Sequence, residues 1–508
     1  MAVSNTALES APNPDTVVSL LPPEATGPAL VTVDDEVMDH AALRREVERL
    51  AEQLRAVGLR ANDRIAVVLP NGPEMALVLL AAMSVGCAAP LNPKYREDEF
   101  RFYLDDLHAA ALLTVAGATP AAHAAAPPGT LAIDVRGQGL AIDLVTPAGA
   151  PTVAASVHQR PSADDQALVL HTSGTTSRPK IVPLRQRNLA WSARNIATAL
   201  RLTSSDRSLN VMPLFHIHGI MAGLLAPLSA GAAVVCTPGF DAFKFHRWVD
   251  TLHPTYYSAV PTMHQMVLAR APEPQPTTLR FVRSSSAALP GPVLESLQAL
   301  FGVPVVEAYG MTEASHQMTC NPLPPAATKP GSVGIATGIE VAILDGANNL
   351  LAPGERGEVA IKGRTIVDGY ENNPTANEAA FTAGWFRTGD EGMLDDEGYL
   401  FLTGRLKEQI NRGGEKISPV EVDEVLLRHP AVAEAITFAI PHDKLGEEVG
   451  AAVVLAEGRD VSERDLRSYL SEQLAAFKVP KRIVFVNEIP KGATGKPQRI
   501  GLSAKLDL

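Results

Sequence analysis

The chain has 508 residues, 46% of them apolar and 20% charged, an ordinary globular composition that excludes wholesale disorder and suffices for a sizeable core. Forty-four basic residues against 56 acidic ones give a net charge of −12, which argues against nucleic acid or an anionic membrane as partner, since both reward a basic surface. The longest strongly apolar run, Met75 to Met83, falls far short of the roughly 20 residues that cross a bilayer, so no membrane association is expected.

The N-terminal segment Met1 to Asp15 has no basic stretch followed by an apolar one, so it does not read as a secretory signal. Next, Leu43, Val47, Leu50, Leu54 and Val57 recur at helical spacing with Arg and Glu between them. Arg64 to Leu69 reads as a buried strand. Pro73 opens a helix through Val85 that is apolar nearly all round, and Cys87 to Pro90 reads as the next strand. Strand, helix and strand in so short a span point to a βαβ unit and a parallel sheet. Residues 107–165 are rich in Ala, Pro and Gly and read as a variable, partly exposed region of the same domain. From Leu168 an apolar strand runs into a Gly/Ser/Thr loop, and strand–loop–helix patterns continue to about residue 330. Residues 331–403 turn to short strands, such as Val359 to Ile361 and Tyr399 to Leu402, with Gly and Asp turns. A boundary is expected near Gly404, giving units 1–403 and 404–508. The second unit balances its charges and ends in a basic stretch that includes Lys478, Lys481, Arg482, Lys491, Lys496 and Arg499. Three scattered cysteines, Cys87, Cys236 and Cys320, make neither a disulfide framework nor a zinc site, and a reducing cytoplasm is expected.

The segment His171-Thr172-Ser173-Gly174-Thr175-Thr176-Ser177-Arg178-Pro179-Lys180 follows a buried strand. Its backbone N–H groups and hydroxyls can wrap phosphate while Lys180 supplies positive charge. It is not a Walker-type loop, because the second Gly and the hydroxyl after the Lys are missing. Tyr309 offers a flat face for a base, and Glu313 is a hard oxygen ligand suited to Mg²⁺. Thr312 can add a hydroxyl. Asp390, in the turn Thr388-Gly389-Asp390, offers two acceptor oxygens, and Arg405 offers a planar fork of donors.

These segments resemble, in order and spacing, those of the adenylate-forming superfamily: acyl-CoA synthetases, luciferases and peptide-synthetase adenylation domains. Besides the phosphate loop, they are Pro213-Leu214-Phe215-His216-Ile217-His218-Gly219 at the acyl-site entrance, Tyr309-Gly310-Met311-Thr312-Glu313 at the adenine and magnesium site, Thr388-Gly389-Asp390 with Gly404-Arg405-Leu406-Lys407-Glu408 at the ribose and hinge, and Pro490-Lys491-Gly492-Ala493-Thr494-Gly495-Lys496 as a C-terminal lysine loop. The resemblance runs from about residue 30 to 500. It implies a large N-terminal α/β domain of mixed and parallel sheets with a β-rich subdomain, and a small mobile α+β C-terminal lid. It also implies ATP, Mg²⁺ and coenzyme A as cofactors, a small carboxylic acid as substrate, and a monomer or homodimer. Thr172, Ser173, Gly174, Thr175, Thr176 and Lys180 are expected to hold phosphate, and Glu307, Ala308, Tyr309, Asp390 and Arg405 the nucleoside. Thr312 and Glu313 are expected beside the metal, and Lys496 at the attacked α-phosphate. Lys407 takes the hinge position, where many relatives carry Asp. Gly413, Gly414 and Glu415 are expected along the thiol tunnel. One departure stands out: the phosphate loop ends Pro179-Lys180-Ile181, where the family usually has Gly and where a β-branched residue cannot easily take positive φ.

The acyl pocket of this family is lined around His216, Ser284 and Glu313. Here Arg283-Ser284-Ser285-Ser286 and Ala314-Ser315-His316 put larger polar groups where an alkyl or aryl tail would need room. His216, Arg283, Ser286 and His316 are expected to hold a second carboxylate, and binding through a protonated histidine would weaken as pH rises. The segments around 171–180, 410–419 and 475–482 are similar to those of oxalate–CoA ligases of plants and fungi, which favours oxalate. A malonate-type or other short- or medium-chain acid comes next, and an acyl-adenylate donor to a carrier protein is the rival of a different class.

Overall fold

The computed structural model describes residues 15–149, 160–172, 179–271, 277–491, 497–506 and 508. The helix His40–Ala56 buries Leu43, Val47, Leu50 and Leu54 on one face, and Asp39 caps it by accepting from the Ala42 N–H at 2.6 Å. Each such leucine, fully withdrawn from water, contributes about 1.5–3 kcal/mol. The helix Pro73–Met83 is buried from Met75 to Met83, as its all-round apolar sequence requires. It links strands Arg64–Val68 and Cys87–Pro90, which pair in parallel, so the expected βαβ unit is present.

Two large sheets are built on this plan. One has seven strands in the order Ala141–Val145, Leu131–Gln138, Ala111–Val115, Arg64–Val68, Cys87–Pro90, Gln166–Thr172 and Lys180–Arg185. Its first three strands come from the Ala-rich stretch read as a variable region. That stretch is more ordered than its composition suggests, because Leu113 and Ile133 are fully buried in the core shared with the neighbouring strands. The other sheet has nine strands. Its parallel centre runs through Pro28–Val31, Ala233–Cys236, Arg207–Asn210, Tyr256–Ala259, Phe281–Ser285 and Val305–Met311, and the antiparallel strand His316–Cys320 flanks it. A third sheet, antiparallel, carries Glu340–Leu344, Gly357–Lys362, Trp385–Leu394 and Leu400–Arg405. It corresponds to the β-rich portion expected at 331–403.

The C-terminal sheet contains Ile410–Arg412, Glu415–Ile417, Gly446–Leu455, Val432–His442 and Arg482–Phe485, with helix Pro419–Leu427 against it. Arg499 braces this unit. Its guanidinium meets Asp423 at 2.6 Å, Glu408 at 3.3 Å and the Thr437 carbonyl at 2.8 Å. Cys87, Cys236 and Cys320 are all free and buried. Among the described residues, no helix is long and apolar enough to cross a membrane.

Candidate active site

In open α/β sheets, ligands gather beyond the carboxyl ends of the parallel strands. Strands Phe281–Ser285 and Val305–Met311 end side by side, and their continuations carry Ser286, Thr312 and Glu313. The chain after Val305–Met311 turns sharply and returns as His316–Cys320. Gly310 permits that return: a Cβ there would lie 1.8 Å from the His316 carbonyl oxygen. Ser286 (φ +75°) and His316 (φ +93°) both adopt left-handed backbone, a conformation costing about 1–3 kcal/mol for a residue with a side chain and concentrated at functional sites.

On the nucleotide side, Tyr309 is buried and its hydroxyl donates to Asp390, while Arg405 meets the other oxygen of Asp390 at 3.0 Å. Burial first, then the Asp390 charge, pushes the Tyr309 phenol well above its ordinary value, and Asp390 chiefly holds the Arg405 guanidinium above its own. Glu313 accepts from the Tyr370 hydroxyl at 2.8 Å, and the Lys180 ammonium lies 4.1 Å from the Tyr370 ring centroid. Desolvation lowers the Lys180 pKa, Glu313 opposes the shift, and repulsion from Lys407 adds to it. The expected hinge residue thus stands near the phosphate-loop lysine. Tyr370 was not anticipated from the sequence. Among the described residues, no group of three or more His, Cys, Asp or Glu side chains could hold a metal alone. A lone carboxylate fits Mg²⁺, which completes its shell with water and substrate phosphate.

The phosphate loop is described only at its two ends. Thr172 and Lys180 face each other as a register pair; Ser173, Gly174, Thr175 and Thr176 lie outside the described residues. Ile181 is buried within the strand Lys180–Arg185, opposite His171, and is not among the residues of positive φ. The left-handed geometry that a glycine would allow is not used at this position, so the β-branched residue costs nothing there. Thr312 opens a short 3₁₀ turn beside Glu313, half-buried. The Ala308 carbonyl accepts from the Ser285 hydroxyl at 2.8 Å. Glu307 is buried, and desolvation pushes its carboxyl up to about 7.

Where the acid pocket is expected, Arg283 is fully buried. Its Nη1 donates to Ser258 Oγ at 2.9 Å and reaches His218 Nε2 at 3.3 Å. Its Nη2 donates to Gln317 Oε1 at 2.9 Å and to His316 Nε2 at 3.2 Å. The two imidazoles stack with centroids 4.8 Å apart. Ser258 Oγ lies 2.7 Å from His218 Nε2, and Ser286 Oγ lies 3.1 Å from His218 Nδ1. No carboxylate of the described residues bonds Arg283. The structure therefore joins Arg283, Ser286 and His316, as expected, but through His218 rather than His216. The His216 ring caps the short helix Ile217–Ile220 by accepting from the His218 N–H at 3.4 Å. Sequence reading missed His218, Ser258 and Gln317. Two histidines spaced i, i+2 at a strand-to-helix turn were the one available signal.

Gly413 and Gly414 form the turn of the hairpin Ile410–Arg412/Glu415–Ile417, with φ +61° and +97°. Their N–H groups donate to Leu445 O at 2.8 Å and Asn411 Oδ1 at 3.1 Å within their own unit, and Glu415 is exposed. Lys496 lies outside the described residues. The neck of its loop is fixed by a bridge between Lys491 and Pro497 and by the ion pair of Lys491 with Glu434 at 2.8 Å.

A family model described as AMP-binding enzyme matches residues 24–371, and one described as AMP-binding enzyme C-terminal domain matches 421–496. Oxalate–CoA ligase of Arabidopsis thaliana is 46% identical over 475 residues, covering 91% of this chain and 92% of the relative. Among solved structures, ATP-bound MatB from Rhodopseudomonas palustris superposes with a TM-score of 0.88 at 29% identity, over 97% of this chain and 98% of that one. O-succinylbenzoate coenzyme A synthetase (MenE) from Bacillus subtilis, solved with ATP and magnesium ion, gives 0.81 at 31% identity, over 96% and 98%.

Proposed function

The chain belongs to the AMP-binding enzyme family, and from that premise we propose that it is an ATP-dependent acid–CoA ligase acting on a small dicarboxylate, oxalate by preference. The class is that of AMP-forming acyl-CoA synthetases, with ATP, Mg²⁺ and coenzyme A as the reaction's other participants. One carboxylate of the acid attacks the α-phosphorus of ATP and expels pyrophosphate. The thiolate of coenzyme A then attacks the acyl carbonyl and AMP leaves.

The observation that carries the choice of acid is the buried guanidinium of Arg283, which among the described residues has hydrogen-bond partners but no carboxylate. A buried charge is tolerated only when paired. The neighbouring Ser286 is half-buried at the carboxyl end of its strand, and its hydroxyl lies 3.1 Å from His218 Nδ1. A second carboxylate placed there supplies the missing charge, whereas an alkyl tail would meet only polar groups.

Around the nucleotide, Tyr309 supplies a flat face for adenine, and Asp390 with Arg405 addresses the ribose. Lys180 and the phosphate loop hold the phosphates. Mg²⁺ at Glu313 would offset phosphate charge, and Lys496 would neutralise charge that develops at the α-phosphate. The division is proposed near residue 404, with Lys407 as hinge between unit 1–403 and a mobile unit 404–508, and with Gly413, Gly414 and Glu415 along the thiol path. The test is pyrophosphate release with and without coenzyme A against oxalate, malonate, acetate, butyrate and coumarate. The reading expects the highest kcat/KM for oxalate and turnover dependent on coenzyme A; a preference for butyrate or coumarate refutes the dicarboxylate.

A further inference from the structure

We propose that Arg283 is a positioning residue that fixes the tautomer of His218 and His316, so that both rings stay neutral, with the proton on Nδ1, rather than becoming cations. This rests on the reading of the cluster as the acid pocket. A guanidinium has five N–H donors and no acceptor. Its Nη1 and Nη2 reach the Nε2 atoms of His218 and His316 at 3.3 and 3.2 Å. A guanidinium N–H directed at an Nε2 needs a lone pair there, and on this reading each ring carries its proton on Nδ1. A second proton, on Nε2, would set N–H against N–H and cation against cation in a fully buried place.

Ser258 reinforces the assignment. On the same reading its Oγ accepts from Arg283 Nη1 at 2.9 Å and gives its own proton to His218 Nε2 at 2.7 Å. His218 Nδ1–H then donates to Ser286 Oγ at 3.1 Å, and the Ser286 proton is left to point away from the cluster. The result is a one-way chain, Arg283 to Ser258 to His218 to Ser286, in which every proton points outward. Such a chain polarises the last donor toward an anion and gives it nothing to offer a cation. The titratable groups about this chain include His218 and His316 on Arg283, Cys320 and Tyr256 close to the guanidinium, and His216 at the N–H of His218. The proposal departs from the sequence-based expectation of a protonated histidine in the pocket.

The experiment is ring-¹⁵N histidine NMR of the full-length protein, with the two signals assigned by His218→Gln and His316→Ala. The expected spectrum shows Nδ1 protonated and Nε2 unprotonated in both rings, unchanged between about pH 6 and pH 8, where a free imidazole titrates. An Nε2-protonated or cationic ring at either position overturns the proposal, whichever acid the enzyme prefers. A second arm compares the KM for oxalate across the same pH range in the parent and in Arg283→Gln. The parent KM should stay flat. In the variant it should become pH-dependent, falling several-fold toward acid pH as the released rings gain charge, while the KM for ATP follows the parent. An Arg283→Gln profile as flat as the parent's also overturns it. A parent that ignores oxalate but keeps both Nδ1–H rings refutes the choice of acid alone.

Discussion

The Tyr370 hydroxyl donates a 2.8 Å hydrogen bond to Glu313 Oε1 while its ring lies under the Lys180 ammonium. One side chain therefore sets the spacing between the expected metal carboxylate and the expected phosphate lysine. Tyr370→Phe keeps the ring and removes the bond. A hydrogen bond to a charged group is worth about 1.5–3 kcal/mol. kcat/KM for ATP in adenylate formation should fall about ten- to hundredfold, with a higher Mg²⁺ requirement, and Tyr370→Leu should fall further. Isothermal titration of ATP with and without Mg²⁺ checks the assignment apart from turnover; unchanged Mg²⁺ dependence in Tyr370→Phe would count against it.

Lys496→Ala should cripple adenylate formation while largely sparing thioester formation from supplied acyl-adenylate. Removing one pre-organised charge at a developing oxyanion typically costs about 10²–10³ in rate. Single-turnover measurement of the two half-reactions separates them, and an adenylation rate equal to the parent's would contradict the role.

Lys407→Pro fixes φ at about −65° at the proposed hinge. Adenylate formation should survive better than transfer to coenzyme A, because the proposed turn of unit 404–508 falls between the two steps. Equal loss of both would instead indicate misfolding, which circular dichroism of the variant would reveal.

His316→Ala removes an imidazole held by Arg283 and opens space beside Ser286. The KM for oxalate should rise about tenfold or more, in line with about 1.5–3 kcal/mol per bond to a charged group, and use of butyrate should improve. Comparing kcat/KM for oxalate, malonate and butyrate in parent and variant tests this. Oxalate kinetics left untouched would remove His316 from the pocket.

Glu307 gives a pH prediction. Burial raises its carboxyl to about 7, and Glu424 of the C-terminal unit adds to the shift. The folded state thus holds a proton that the unfolded chain releases near 4.5. Stability from this site is fully present below about 4.5 and falls as pH rises to about 7, a loss of about 3 kcal/mol. Glu307→Gln should match the parent in acid and exceed it increasingly toward pH 8 in urea unfolding. A gap that does not change with pH would show that Glu307 ionises normally.

The chemistry-bearing segments were legible because each is local. A strand running into a hydroxyl-rich loop, or Tyr309 to Glu313 in five residues, can be read without knowing the fold. Tyr370 was not legible, since it meets Glu313 from 57 positions away and has only Gly369 and Glu371 as immediate neighbours. Ser258 and Gln317 were hidden for the same reason: parallel strands Tyr256–Ala259 and Phe281–Ser285 bring Ser258 beside Arg283, and nothing in either local sequence announces it. Periodicity found the helices at His40–Ala56 and Pro73–Met83. It missed the strands Ala111–Val115 and Leu131–Gln138, where alanine and glycine dilute the pattern that burial by neighbours makes good. At Ile181 a family rule about glycine misled, because the position is a strand rung rather than a turn.

The left-handed backbone at His316 and Ser286 sets heat resistance against discrimination within single residues. Ser286→Gly would relax a conformation costing about 1–3 kcal/mol and remove a hydroxyl of the proposed acid pocket, whereas His316→Gly would also open a buried hole and take a partner from Arg283. A library screened for thermal tolerance alone should enrich glycine in place of Ser286 and return robust enzymes that tell a diacid from a monoacid less well. A stabilised catalyst that keeps its selectivity must gain its margin elsewhere, and these two positions are the ones to hold fixed.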